Sequence, residues 1–534
     1  MSAAHASRIA GVTIPLFSVR GSTSWGIGEI PDLVPLATWL KGGGLSLIQL
    51  LPLGEIAGNE TSPYAALSAF GIDPMYVGIE ALPSYSSDDL AASLGGGAAL
   101  GELAALRQNP AVDYGAVRRL KELALRHAFD RFWEDEHARR TPLAVQYTIF
   151  CRTNDSWLAD YALFRALKDA HEGAPWWQWY RPLREREHGA LESARVTLAR
   201  EAAFHSFVQW SAHAQWTKMR AELGALGVEL MGDLPFMVAR DSADVWAHRA
   251  EFRDGASVGV PPDAFNDEGQ DWDLPPYDWR TMRANDFAWL RRRIDATAAL
   301  YDRFRIDHLV GFYRTYSRER ASKRDAGGKL RPGSFEPAEE AEQLAHGERV
   351  VAALVDTAAS AGAQLIAEDL GAVPDFVRAS LTKLGVPGYR VVMWERDGER
   401  FRDPASYPAL SVACFGTHDT PPVAAWWEAL TPTEREAACE LPGLAELREA
   451  EEFTPLVHRA LFDSLSRSGS SLVLFLVQDL FGERTRINTP ATVSSHNWTY
   501  RIPLAIGELE ADPAARARMA WIAESLRAGG RRLG

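Results

Sequence analysis

Acidic side chains recur at one kind of place in this chain. Asp233 stands in Met231-Gly-Asp-Leu-Pro235, and Arg305 and Asp307 stand in Phe304-Arg-Ile-Asp-His308. Glu368 and Asp369 stand in Ile366-Ala-Glu-Asp-Leu370, and His418 and Asp419 in Gly416-Thr-His-Asp419. Each group lies in or directly after a short apolar run. Arg305 and Asp307 are two residues apart, so on a strand they face the same way. A guanidinium beside a carboxylate favours the ionised, nucleophilic form. Carboxylates converging with an arginine and a histidine are the equipment of glycosidic-bond chemistry. One attacks, another gives and takes the proton, and further groups hold the sugar. Taken singly, an acidic residue at a strand end is more often an N-cap or a loop hydrogen-bonder. Asp369, next to Glu368 and facing the opposite way, fits that plainer role. The recurrence at strand ends carries the argument.

The elements that position these groups can be read from the apolar runs 11–17, 46–53, 228–236, 304–309, 364–370, 389–394, 411–415 and 471–477. Most are dense in apolar side chains without clean alternation, the pattern of buried parallel strands. Helical patterns such as 222–226 and 342–361 separate them. Eight strands with helices between them predict an α/β fold, a (β/α)8 TIM barrel whose catalytic groups lie at the C-terminal strand ends. The spacing is uneven. Residues 1–53 form the first part of the barrel and 226–534 the rest. The long stretch 54–225 is expected to be a helical insertion after the second strand. Segment 253–280, rich in Gly, Pro, Asp and Trp, reads as a long active-site loop. Segment 318–333 is polar and is expected to be mobile. Only a short tail follows the eighth strand, so no separate C-terminal β domain is expected.

Composition narrows the function further. The 57 Lys and Arg against 71 Asp and Glu give a net charge of −14, which speaks against nucleic-acid or anionic-membrane partners. Cys151, Cys414 and Cys439 are too few and too scattered for a disulfide framework or a cysteine metal site. No run approaches the ~20 apolar residues that span a bilayer, and no signal segment is legible. These features point to a cytoplasmic protein without a metal. The 18 Trp include faces suited to sugar rings, although most are expected in core packing. Gly255-Ala-Ser-Val-Gly259 matches a nucleophile-elbow pattern but lacks its strand-turn-helix setting, and is read as chance.

The motifs in order resemble those of the 4-alpha-glucanotransferases (glycoside hydrolase family 77). They begin at Gly26-Ile-Gly28, Gln49-Leu-Leu-Pro-Leu-Gly54 and Ser62-Pro-Tyr64. The insertion carries Asp160-Tyr-Ala-Leu-Phe164, and Gly232-Asp-Leu-Pro235 and Val260-Pro-Pro-Asp263 follow. Arg305-Ile-Asp-His308, Ala367-Glu-Asp-Leu-Gly371 and Gly416-Thr-His-Asp419 form the centre. Arg486-Ile-Asn488 and His496-Asn-Trp498 close the pattern. The resemblance implies that Asp307 is the nucleophile, Glu368 the general acid/base and Asp419 the carboxylate that holds sugar hydroxyls. It implies substrate contacts from Tyr64, Asp233, Trp272, Arg305, His418 and Asn497. It also implies a retaining transfer of α-1,4-glucan segments between donor and acceptor chains, with no cofactor.

Three positions depart from the family pattern. Ala264 follows Asp263 where an aromatic is often found. Asp273-Leu274 follows Trp272 where Gly-Asn is familiar, and Thr420-Pro-Pro422 follows Asp419 where Asn-Asp-Thr is familiar. All lie in loops around the cleft, where the balance of transfer over hydrolysis is set. An α-1,4-glucan hydrolase on the same scaffold, or a glucan-binding protein without catalysis, are the alternatives. Product analysis on maltooligosaccharides separates them.

Overall fold

The computed structural model describes residues 8–58, 60–83, 85, 89–262, 267–490, 492 and 494–534. Eight strands close into a parallel barrel: β1 (Ile9–Thr13), β2 (Leu47–Gln49), β3 (Glu229–Leu234), β4 (Arg303–Ile306), β5 (Gln364–Ala367), β6 (Gly388–Val391), β7 (Ser411–Cys414) and β8 (Leu472–Leu476). Each pairs with its sequence neighbours, and β8 closes on β1 through Ile9↔Leu472 to Thr13↔Leu476. These are the eight expected runs. They were legible because a strand covered on both faces is apolar at nearly every position, as in the wholly buried Leu472–Leu476.

Between β2 and β3 the chain makes the expected helical excursion, including helices Tyr114–Arg131, Pro142–Thr153 and Asp155–Ala170. The 28-residue helix Ala199–Leu226 leads back to β3. It stops at Gly227, whose φ of 73° is the left-handed conformation that glycine adopts without a Cβ clash. Lys41 Nζ donates to Leu226 O at 2.6 Å, and Trp216 Nε1 to Leu300 O at 2.9 Å. Part of the stretch 54–225 therefore serves as the barrel's own crossover helix.

One segment differs from expectation: 253–280 is not wholly an irregular loop, because it carries two short strands. Strands Gln270–Asp271, Ala256–Val260, Thr315–Glu319 and Ser334–Glu336 form an antiparallel sheet in that order. Strands of two to five residues carry too little periodicity to be read, and their partners come from up to about sixty residues away. Ser257, from the chance G-x-S-x-G match, lies inside this sheet and hydrogen-bonds Asp271. Asp263 and Ala264 lie outside the described residues. After β8 the helices Val477–Phe481, Ile506–Ala511 and Pro513–Ala528 follow, and no further strand is described there. No described helix is long and apolar enough to cross a membrane.

Eleven of the 18 tryptophans are buried, and Trp25, Trp176, Trp216, Trp246, Trp279, Trp289 and Trp427 are fully so. Buried charges help to pin insertion and barrel together, and Lys121 is among the most enclosed. Lys121, on helix Tyr114–Arg131, sends its ammonium to Glu29 Oε1 (2.7 Å), Met75 O (2.6 Å) and Val77 O (2.8 Å). All three of its donors are thus used, and the side chain is 1% exposed. Removing one partner of a buried pair leaves the other charge uncompensated, at a cost of roughly 3–5 kcal/mol. Lys121→Ala is expected to lower the melting temperature clearly, read by calorimetry, whereas Arg139→Ala, in an open surface pair, should leave it nearly unchanged.

Candidate active site

The barrel register decides which groups meet. Ile306 and Ala367 are partners at the ends of β4 and β5, so Asp307 and Glu368 are the next residues on adjacent strands. The ladder runs one step further, with Glu368 N donating to Ile306 O at 3.0 Å and Asp307 N to Leu234 O at 3.0 Å. Neighbouring strands stand about 4.8 Å apart, which sets the scale of separation between the two carboxyls.

Arg305 joins the strand ends. Its Nη1 donates to both oxygens of Asp233 on β3, at 2.8 and 2.7 Å, and its Nη2 donates to Asp307 Oδ1 at 2.7 Å. The expected same-face geometry of Arg305 and Asp307 is realised. Tyr64, in the loop after β2, donates its hydroxyl to Asp233 Oδ2 at 2.7 Å. His418 Nε2 lies 3.1 Å from that hydroxyl oxygen and 3.3 Å from Asp419 Oδ2. Since the Tyr64 proton already points at Asp233, Nε2 carries the proton that both oxygens receive. A continuous network thus runs Asp419–His418–Tyr64–Asp233–Arg305–Asp307, anchored on β3 and β4 and in the loops after β2 and β7.

Exposure separates the members. Asp233 has 0% and Arg305 7% of the side chain exposed, against 30% for Asp307 and 39% for Asp419. The first two lie beneath the cleft and the second two open into it. Asp233, expected among the substrate contacts, has both oxygens taken and orients Arg305 and Tyr64.

Glu368 has a different environment from Asp307. Burial, with Asp307 adding to it, pushes its carboxyl up to about 7, against Arg305 and two amide donors. Those donors are His308 N, at 2.7 Å, and Leu370 N, at 3.0 Å. Asp369 is turned away, accepting from Tyr389 N on β6 at 2.7 Å, the backbone role read for it in the sequence. Burial works against charge on Arg305, yet Asp233 and Asp307 outweigh it and hold its pKa above the usual arginine value. Burial and the Asp233 carboxylate raise Tyr64 well above the ordinary tyrosine range, so it remains a donor.

Trp272 stands half-buried with its ring 4.9 Å from that of His308 and nearly perpendicular to it. Burial lowers His308 to about 4, so the imidazole next to Asp307 is neutral. Asn497 is placed otherwise than expected. Its amide is taken up by its own loop, accepting from Thr489 N (3.2 Å) and donating to Thr492 O (3.1 Å), so it braces that loop. Two neighbours were missed as site residues although their motifs had been noted. Asn488 Nδ2 donates to Asp419 Oδ1 at 2.7 Å, and Trp498 packs 5.9 Å from Tyr64 and 5.8 Å from His418. Trp394 was also missed. It lies just past β6, between the strands that carry Glu368 and Asp419, and is 53% exposed.

Comparison with known proteins agrees with this fold. The family model described as 4-alpha-glucanotransferase matches residues 14–505. The chain belongs to the 4-alpha-glucanotransferases. It is 34% identical over 497 residues to the 4-alpha-glucanotransferase of Thermus thermophilus, covering 90% of this chain and 91% of that one. To the enzyme of the same name from Chlamydia pneumoniae it is 30% identical over 524 residues, covering 93% and 92%. The amylomaltase of Streptococcus agalactiae, solved with acarbose, superposes with a TM-score of 0.80 at 25% identity, over 98% of this chain and all of that one. This member of the family is therefore an enzyme acting on α-1,4-glucans.

Asn488 tests the network. Asn488→Ala removes the amide donor on Asp419 Oδ1 while leaving the carboxylate charge and the His418 contact. A fall of about tenfold in kcat/KM with an unchanged melting temperature is expected, the scale of a lost hydrogen bond to a charged group.

Proposed function

We propose that this 4-alpha-glucanotransferase works by a retaining, two-step exchange through a covalent glucosyl-enzyme on Asp307. The observation that carries the reading is the pairing of two carboxyls in unlike environments on adjacent strands. Asp307 is bonded to a buried guanidinium and open to the cleft, and Glu368 is pushed up to about 7 beside it. Adjacent-strand spacing suits the ~5–5.5 Å carboxyl separation of retaining enzymes.

In the first step Asp307 attacks the anomeric carbon of an α-1,4-linked glucose, and Glu368 gives its proton to the departing oxygen. In the second, Glu368 takes the proton from the 4-hydroxyl of an acceptor glucan. That oxygen displaces Asp307 and the α-1,4 bond re-forms. Asp419, half open and held by Asn488 and His418, binds sugar hydroxyls as the ring flattens. Trp272 and Trp394 supply flat apolar faces for rings on either side. Transfer prevails over hydrolysis when the acceptor is oriented, because effective molarities of ~10⁵ M outweigh water at about 55 M.

Product balance decides the acceptor. On maltotriose the enzyme is expected to make glucose and longer maltooligosaccharides while total reducing ends stay nearly constant. Reducing ends rising in step with cleavage would identify a hydrolase. Asp307→Asn, Glu368→Gln and Asp419→Asn should each lower kcat by ~10²-fold or more with folding intact. Unchanged turnover in a folded Asp307→Asn protein overturns the nucleophile.

The pH profile tests Glu368 separately. Its raised pKa keeps the proton-donating form below about 7, and that form is lost as pH rises through it. The rate of donor cleavage should decline on the alkaline side with a midpoint near that value, and no such limb should remain in the residual activity of Glu368→Gln.

A further inference from the structure

Two carboxylates flank Trp272 and take no part in the reaction above: Asp271 and Asp273. Across the antiparallel sheet, the turn after strand Thr315–Glu319 offers them two cations. Lys323 Nζ lies 2.7 Å from Asp271 Oδ2 and 2.9 Å from Asp273 Oδ1. Arg320 pairs with the Asp273 carboxylate and donates to the Asp273 carbonyl at 3.3 Å. Arg320 is itself anchored, donating to Asp254 O and Ala256 O, each at 3.1 Å. Asp271 also accepts from the buried Ser257 hydroxyl. Burial opposes its charge, yet Lys323 and Ser257 bring Asp271 below the ordinary aspartate range.

The pairs differ in exposure. The Asp271 side chain is 8% exposed and that of Lys323 26%, whereas Asp273 is 61% exposed, so solvent and salt screen the Asp273 pairs more than the Asp271–Lys323 pair. Asp273 has a φ of 56°, a left-handed conformation that aspartate tolerates and most residues avoid. Its charged partners sit where they hold that bend. Between the two clamped residues Trp272 reaches the other way, to His308, which follows Asp307 and gives its N–H to Glu368.

We propose that Asp271 and Asp273, gripped by Lys323 and Arg320, are positioning residues that set Trp272 against His308 beside the two reacting carboxyls, and that this charged clamp governs how acceptor sugars are seated. The part about acceptors rests on the transferase reading. The grip itself is a property of the sheet. Lys323 grips the carboxylates on both sides of Trp272 in the chain, so its charge fixes the backbone that carries the indole, whose Nε1 donates to Gln270 Oε1 at 3.0 Å.

The test uses Lys323→Met, Lys323→Arg and Asp273→Asn, which keeps a residue suited to the left-handed turn. Each is assayed at low and high sodium chloride. The readouts are KM for glucose as acceptor with maltotriose as donor, kcat, and acrylamide quenching of Trp272. The quenching is taken as the difference between each protein and its Trp272→Phe counterpart. Lys323→Met and Asp273→Asn should raise the acceptor KM about fivefold, with kcat within about twofold, and should make Trp272 more quenchable. Salt should move the wild type toward the variants and leave Lys323→Met nearly unmoved, and Lys323→Arg should recover most of the wild-type behaviour. Unchanged acceptor KM and quenching in folded Asp273→Asn or Lys323→Met overturns the clamp, as does an equal salt response in Lys323→Met and wild type. If the wild type simply hydrolyses maltotriose, the transferase reading fails, and the quenching differences still decide the clamp.

Discussion

The site depends on one buried guanidinium. Arg305 has two sides, and each meets a carboxylate: Asp233 beneath, with no exposed side-chain surface, and Asp307 above, open to the cleft. A buried cation is costly unless its donors are satisfied, so neither partner can be spared. The arrangement converts the fixed spacing of β3 and β4 into a fixed position for Asp307. It also explains why Tyr64 and His418 join in. Asp233 has lone pairs left after Arg305, and the Tyr64 hydroxyl fills one of them, linking the β2 loop to the β7 loop.

The two carboxyls to which we assign opposite tasks have unlike surroundings. Asp307 has a guanidinium against one oxygen. Glu368 is buried, near that negative neighbour, and farther from the same cation, so its proton is held to about 7. The separation follows from the barrel. Parallel register puts the two side by side, while the direction each side chain takes decides which one meets Arg305. Asp369 shows how narrow the choice is. One residue further along the chain, it faces the β6 backbone and becomes a structural acceptor.

Around this centre, rigidity comes from elements outside the barrel. The antiparallel sheet carries Trp272 on a short strand end, with its backbone N–H bonded to Val258 O at 2.9 Å. The helical insertion is tied to the first part of the barrel through Lys121 and Glu29, with Met75 O and Val77 O completing the shell of the ammonium. Trp498, itself at φ 65°, backs the Tyr64 and His418 rings from the other side. The cleft is thus walled by aromatic faces whose positions are set by hydrogen bonds and ion pairs in three separate parts of the chain.

By itself, the sequence determined the barrel, the eight strand positions and the clustering of Asp307, Glu368 and Asp419 at strand ends. Strands buried on both faces write themselves as unbroken apolar runs, and a polar residue ending such a run stands out. The Arg305–Asp307 relation was legible too, because a period of two is local. Only the tertiary structure decided the remainder. The short strands of residues 256–336 find their partners across long loops, which no local period records. Asp233 and Asp307 look alike in sequence, yet one is sealed under Arg305 and the other open, a difference made by the neighbouring strands. Asn497 reads as a polar group for substrate, but its loop turns the amide back on Thr489 and Thr492, while Asn488 reaches Asp419. Direction and burial of a side chain are set by everything packed around it, and that information is spread over the whole chain.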